Sequence, residues 1–142
     1  MDWVLLDTNV FSFLLPFRPD TRAELYRRHV EGANRFAVIS FVTVAELYVL
    51  AERRKWGRPR VRDLEAHLSA AVVVPYDVDI CRTYARLKTS LRNPSGSARV
   101  VESNDLWIAA CAVRHAIPLI THNRRHFEGI PGLNIVSEAP CL

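Results

Sequence analysis

Residues 3–9 read WVLLDTN, four apolar side chains followed at once by an acid, a hydroxyl and a carboxamide. A four-residue apolar run suits a strand better than a helix, while Asp7, Thr8 and Asn9 hydrogen-bond local backbone and favour a helix start. The stretch therefore predicts a strand turning straight into a helix. The pattern returns at residues 36–40 (FAVIS), a second run rich in β-branched and aromatic residues. After it, Thr43 opens a helix in which Val44, Leu47, Tyr48 and Ala51 recur at helical spacing until Gly57 and Pro59 stop it. Between these units Asp20 or Thr21 caps a helix to about Val30, with Leu25 and Val30 turned inward. Further along, the spacing predicts a helix over 60–70 and a strand over 72–74. Asp77 or Asp79 caps the next helix, with Ile80, Tyr84, Leu87 and Leu91 on one face, and a loop follows at 93–97. Ser103 or Asn104 starts a strongly apolar helix, and the chain closes with a strand over 117–120, a turn or short helix over 121–127, and an edge strand over 133–136. Strands alternating with helices of this length predict an α/β fold around a mainly parallel sheet of four to five strands.

The chain has 142 residues, close to the roughly 150 typical of one domain, so a single unit over 1–142 is expected. Apolar residues make up 49% and charged residues 24%, which excludes wholesale disorder. No stretch approaches the roughly 20 apolar residues that span a bilayer. The apolar amino terminus carries Asp2 and Asp7 and lacks a basic lead-in, so a secretory signal is not expected and the cytoplasm is. Cys81, Cys111 and Cys141 are odd in number and widely spaced, and they read as small core hydrophobes. The net charge of +4 is carried almost wholly by arginine, with Lys55 and Lys88 the only lysines. Arginine's planar fork suits phosphate, and a modest positive excess is compatible with a nucleic-acid ligand.

In a parallel α/β sheet, ligands bind at the carboxyl ends of the strands. Asp7 directly follows the first strand, Glu46 falls in the first turn of the helix after the second, and Asn123 lies just after the strand ending at Ile120. Asp105 opens the apolar helix that feeds that same strand. Three carboxylates and a carboxamide from four distant segments thus point to one edge. Gathered carboxylates raise each other's pKa and persist where a cation neutralises them, and their oxygens suit Mg²⁺ or Mn²⁺ rather than zinc. An ion so held can activate water and steady a leaving oxygen in phosphodiester hydrolysis.

LLDTNV (5–10), TVAELY (43–48), NDLWIAACA (104–112) and LITHNRRHFEGIPGL (119–133), in that order, resemble the PIN-domain ribonucleases and most closely the VapC-like toxins of type II toxin-antitoxin systems. The resemblance implies a three-layer α/β/α PIN-like fold and Mg²⁺- or Mn²⁺-dependent endonucleolytic cleavage of RNA. It also implies a homodimer and inhibition by a cognate antitoxin that wraps the groove. Carried over by position, it assigns Asp7, Glu46 and Asp105 as metal ligands, with Asn123 where many relatives have aspartate. A neutral amide is a poorer cation ligand, so a second ion is held weakly or only with substrate phosphate. Under this reading Asp7 and Asp105 hold the principal ion and Glu46 orients water. Thr8 and Thr121 contribute hydroxyls, Asn9 fixes Asp7, and Arg99, Arg124 and Arg125 meet substrate phosphate.

Plainer readings stand beside these. Taken alone, Asp7-Thr8-Asn9 is a helix cap, and the cationic run at 51–62 around Trp56 is either a solvated helix end or a grip on a phosphate backbone that also stacks a base. His122 and His126 have a zinc-compatible spacing but no evident third ligand. The apolar residues Phe11, Phe13, Leu14 and Leu15 suggest a surplus face for dimerisation or antitoxin binding. A catalytically weak PIN-like module binding RNA or a protein is the competing function. A phosphoacceptor aspartate at position 7 is disfavoured because neither lysine is placed to assist it.

Overall fold

The sheet is built outward from β1 (Asp2–Leu6), whose last three residues are buried on both faces. In the computed structural model, which describes residues 2–140, β1 pairs with β2 (Arg35–Ser40) on one side and β4 (Leu119–Ile120) on the other. β3 (Val72–Val74) and β5 (Ile135–Val136) complete the order β3-β2-β1-β4-β5, and every pairing is parallel. Leu5 and Val38 face a core made with α5 (Val78–Ser90) and α6 (Ser103–His115), while Val4, Leu6 and Ile39 face the opposite one. That second core is formed with α1 (Thr8–Phe13), α2 (Ala23–Val30), α3 (Phe41–Arg53) and α4 (Arg58–Ala70). Period-two alternation along β1 and β2 thus supplies two apolar faces, and helices must cover both. The expected three-layer α/β/α arrangement is the one observed.

Local chemistry sets the helix starts. Asp7 caps α1, Ser40 caps α3 through the Thr43 amide, and Asp77 rather than Asp79 caps α5 through the Ile80 amide (2.7 Å). Helix α6 starts at Ser103, as the sequence predicts, although neither Ser103 nor Asn104 is its cap. Glu102 takes that place and accepts from the Asp105 amide at 3.1 Å. The final segment keeps α7 (Arg124–Phe127) as a single turn.

Several expectations shift. Leu25 is exposed, and α2 instead turns Ala23 and Tyr26 inward. Tyr48 is exposed as well. Phe13 and Leu15 are buried and Phe11 and Leu14 pack beside them, so the supposed surplus apolar face is consumed by the chain's own core. Cys111 is a core residue, Cys81 is only partly buried, and Cys141 lies outside the described residues. Among the described residues no helix is long and apolar enough to cross a membrane.

Helix α6 ends on Ala116 at φ 54°, in the left-handed region where a β-carbon is penalised. Ala116→Gly is expected to stabilise the fold by about 0.5–1 kcal/mol, read as an upward shift in the urea midpoint with unchanged slope.

Candidate active site

At the carboxyl edge of β1 the chain leaves the sheet at Asp7, whose amide still bonds the Ile120 carbonyl at 2.9 Å. That ladder bond places the Asp7 carboxylate beside the end of β4. Oδ1 accepts the Thr8 amide at 2.8 Å, and Oδ2 accepts the buried Thr121 hydroxyl at 2.7 Å. Thr121 Oγ1 in turn accepts the Asn123 amide at 3.0 Å, tying the turn after β4 to the same carboxylate. Asn9, expected to fix Asp7, is exposed and makes no bond to it.

Glu46 comes from α3. The helix begins at Phe41, so Glu46 stands in its second turn rather than the first. Its Oε1 accepts the Thr8 hydroxyl at 2.6 Å. Because Thr8 has one hydroxyl proton and gives it to Glu46, the Thr43 hydroxyl, 2.9 Å from Thr8 Oγ1, is the donor to Thr8. Thr43 opens the TVAELY motif but is not among the expected site residues, although its place three residues before Glu46 puts both on one helix face.

Asp105 is delivered by the first turn of α6, and its Oδ2 lies 3.0 Å from His126 Nδ1. His122 bonds the Tyr26 hydroxyl instead (2.6 Å). The two histidines are therefore engaged on different partners, and the spacing that suggested a shared zinc has no counterpart in the structure. His126 as the neighbour of Asp105 has no signal in the sequence, since only the fold brings positions 105 and 126 together.

Burial pushes the Asp7 carboxyl up to about 6, and the charges of Asp105 and Glu46 add to that rise. The hydrogen bonds from Thr121 and Thr8 oppose it. Asp105 is also raised, chiefly by burial and further by Glu102 and Glu46, with His126 pulling the other way. Asp7 and Asp105 thus both feel the charge of Glu46. Among the described residues no three Asp, Glu, His or Cys side chains stand at ligating distance together.

Thr8, Asn9 and Glu46 open on a groove of about 620 Å³ between α1 and α3, which Asn104 and Trp107 also border. Asn123, Arg124 and Arg125 line a separate hollow of about 370 Å³. Arg99 borders a third hollow together with Asp105, Arg125 and His126. Its guanidinium donates to the backbone carbonyls of Glu128 and His126, bracing the segment that carries His126.

A PIN domain family model matches residues 4–133. The chain belongs to the PIN-domain family. Among curated relatives it is 30% identical over 129 residues to Ribonuclease VapC2 of Haemophilus influenzae, covering 91% of this chain and 92% of that protein. It is 33% identical over 140 residues to VapC ribonuclease Y4jK of Sinorhizobium fredii, covering 94% and 96%. Among solved structures, VapBC2 from Rickettsia felis bound to a promoter DNA fragment aligns with a TM-score of 0.75 at 25% identity, over 95% of this chain and 98% of that one. VapBC-1 from nontypeable Haemophilus influenzae aligns with a TM-score of 0.71 at 31% identity, over 95% and 97%. The chain is a VapC-like PIN domain protein.

Proposed function

We propose that this PIN domain protein is a divalent-metal-dependent endoribonuclease acting as the toxin of a toxin-antitoxin pair. The observation that carries the reading is the buried Asp7 carboxylate, held by two hydrogen bonds where the charges of Glu46 and Asp105 also converge. A fold keeps such mutually repelling groups where opposite charge completes the site. VapC-named ribonucleases among the relatives support the reaction class, and the VapBC complexes support a cognate antitoxin as partner. A homodimer and a cytoplasmic location complete the proposal.

The donor set is all oxygen, which fits a hard cation such as Mg²⁺ or Mn²⁺ held by Asp7 and Asp105, with Glu46 joining directly or through water. Bound there, the ion supplies positive charge that acidifies water and neutralises the phosphodiester. The remaining work falls to side chains. Glu46 has Oε1 fixed by Thr8, leaving Oε2 to accept a proton from the attacking water. Thr121 locks Asp7 and the Asn123 backbone through one hydroxyl, so the carboxylate and the turn after β4 keep a set relation. Arg124 and Arg125 flank Asn123 in the hollow and are placed to meet a phosphate of the strand.

Purified protein is expected to cut single-stranded RNA with Mn²⁺ and to lose that activity with chelator. Binding without cleavage under both conditions sinks the enzymatic reading in favour of a weak RNA- or protein-binding module. Thr121→Val keeps the volume but leaves Asp7 Oδ2 and the Asn123 amide without their partner. It is expected to cost about 1–3 kcal/mol in stability and to slow cleavage about tenfold, measured by thermal unfolding and initial rates on one RNA.

A further inference from the structure

The cationic run at 51–62 acquires a definite shape in the fold. After α3 the backbone turns through Lys55 at φ 51°, and Trp56 folds back, its amide on the Ala51 carbonyl at 3.0 Å, to pack partly against the core. Phe17 meets the Trp56 ring edge-on at 5.6 Å. The guanidinium carbons of Arg18 and Arg60 both lie over that ring, at 5.7 and 5.6 Å from its centroid. Trp56 is therefore a support for guanidinium groups, and the open base-stacking platform suggested by the sequence is replaced by a cationic one.

Charge there is unbalanced. Arg18 is partly buried and feels the charges of Arg54, Arg60 and Arg22. The carboxylate that reaches it is Asp20, and both oxygens of Asp20 are taken by Arg22, at 2.9 and 2.8 Å. Gathering arginines in this way is unfavourable unless an anion compensates them, and the planar fork suits a phosphate.

The cluster lies in line with the acidic site. Arg18 donates to the Ser12 hydroxyl, and Ser12 borders the same groove as Thr8, one helical turn away along α1. Along α3, Glu46, Leu50 and Arg53 share a face at spacings of four and three and border that groove too. At 1.5 Å per residue, the groove runs about 10 Å from Glu46 to Arg53, where the arginines begin.

We propose that Arg18 and Arg60, over the ring of Trp56, together with the exposed Arg54 that closes α3 two residues before it, form a phosphate-binding site that holds the single-stranded RNA backbone a few nucleotides from the carboxylates. The inference rests on the ribonuclease reading above for its choice of ligand. Arg54 and Arg60 are exposed, so their replacement leaves the core intact, whereas Arg18 also serves Ser12.

The test is equilibrium binding of a short fluorescein-labelled oligouridylate to chelator-treated protein, followed by anisotropy across a NaCl series. The R54Q/R60Q variant is expected to bind about tenfold more weakly, with a log–log salt slope shallower by about 1.4, or about 0.7 for each phosphate that an arginine no longer neutralises. R54K/R60K is expected to keep most of that slope, because lysine retains the charge. Unchanged affinity and slope in R54Q/R60Q overturn the proposal. So does a variant that binds the RNA normally but has lost affinity for an acidic polyglutamate peptide, which assigns the arginines to a protein partner. R60Q alone serves as the second variant if the double one fails to fold. Wild-type cleavage of RNA in Mn²⁺ is measured in parallel. If that activity is absent while the salt-dependent loss in R54Q/R60Q is present, the ribonuclease reading falls and the binding site stands.

Discussion

Asp105→Asn is expected to lower metal-dependent RNA cleavage by about 10³-fold or more, corresponding to about 4 kcal/mol of lost transition-state stabilisation. The substitution changes charge and little else. Asparagine keeps the volume, and its Oδ1 can still accept from His126 Nδ1, which lies 3.0 Å from the native carboxylate. The Asp105 amide remains on the Glu102 cap, so the start of α6 is preserved. What disappears is one of the two charges proposed to hold the ion. A second measurement separates this loss from misfolding. Wild-type protein is expected to unfold at a higher temperature in millimolar Mn²⁺ than in chelator, by mass action of a ligand that binds the native state. Asp105→Asn is expected to show little of that increment while being at least as stable as wild type in chelator, since it removes a carboxylate that burial and Glu102 disfavour. A variant that cleaves RNA at a rate close to that of wild type removes Asp105 from the site.

Asp7→Asn is expected to stabilise the metal-free protein at pH 7 by about 2 kcal/mol. In the fold the Asp7 carboxyl is pushed up to about 6 from an ordinary 3.8, first by burial and then by the charges of Asp105 and Glu46. A folded-state pKa above the unfolded one means that the native state binds the proton more tightly. Stability is therefore full below about pH 4, lost as pH rises from there through about 6, and low by a constant amount above it. A shift of about two units corresponds to about 3 kcal/mol. Asparagine escapes this penalty, with Oδ1 still accepting the Thr8 amide and Nδ2 now donating to Thr121 Oγ1, at the cost of about 1 kcal/mol for the weaker neutral bonds. In chelator, the urea stability of wild type is expected to fall, from below pH 4 to pH 7, by about 3 kcal/mol more than the variant's, so that the two curves cross between about pH 4 and pH 5. Parallel curves across that range would show that Asp7 is not held as a charged, desolvated group. Mn²⁺ is expected to reverse the ranking at pH 7, since the cation restores to Asp7 the partner that asparagine cannot use.

Much of the fold is legible in the sequence because the relevant signals are local. The run ending at Leu6, the β-branched run ending at Ser40 and the three valines at 72–74 declare strands by length and residue type, and Asp7 and Asp77 declare helix starts by their own side chains. The departures have equally definite causes. Apolarity alone turns Leu25 inward, but α2 packs by Ala23 and Tyr26, and Tyr26 is fully buried because its hydroxyl finds His122 and the Glu138 amide. Phe11, Phe13, Leu14 and Leu15 look like surplus because the depth of the second core cannot be counted from a linear pattern.

The site divides in the same way. Asp7, Glu46, Asp105 and Asn123 stand out because each sits just beyond a strand or in the opening turns of a helix, and a parallel sheet sends all such positions to one edge. Hidden from that reading are the groups that act on those carboxylates across the chain. Thr43 reaches Thr8, His126 reaches Asp105, and the Thr121 hydroxyl has a double role between Asp7 and the Asn123 amide that its position after a strand does not reveal. Arg99 reads as a phosphate ligand in the sequence, and only the fold shows that two of its five donors go to the backbone carbonyls of Glu128 and His126.

The amino-acid order by itself determined the alternation of strands and helices and the identity of the acidic residues, because hydrophobic period and capping chemistry operate over a few neighbouring positions. Only the tertiary structure decided which hydroxyl holds which carboxylate, how far burial raises Asp7, and that Arg18 and Arg60 share the ring of Trp56. Those outcomes depend on side chains separated by tens of residues arriving within about 3 to 6 Å of one another, a distance set by packing of the layers and not by any local preference of the chain.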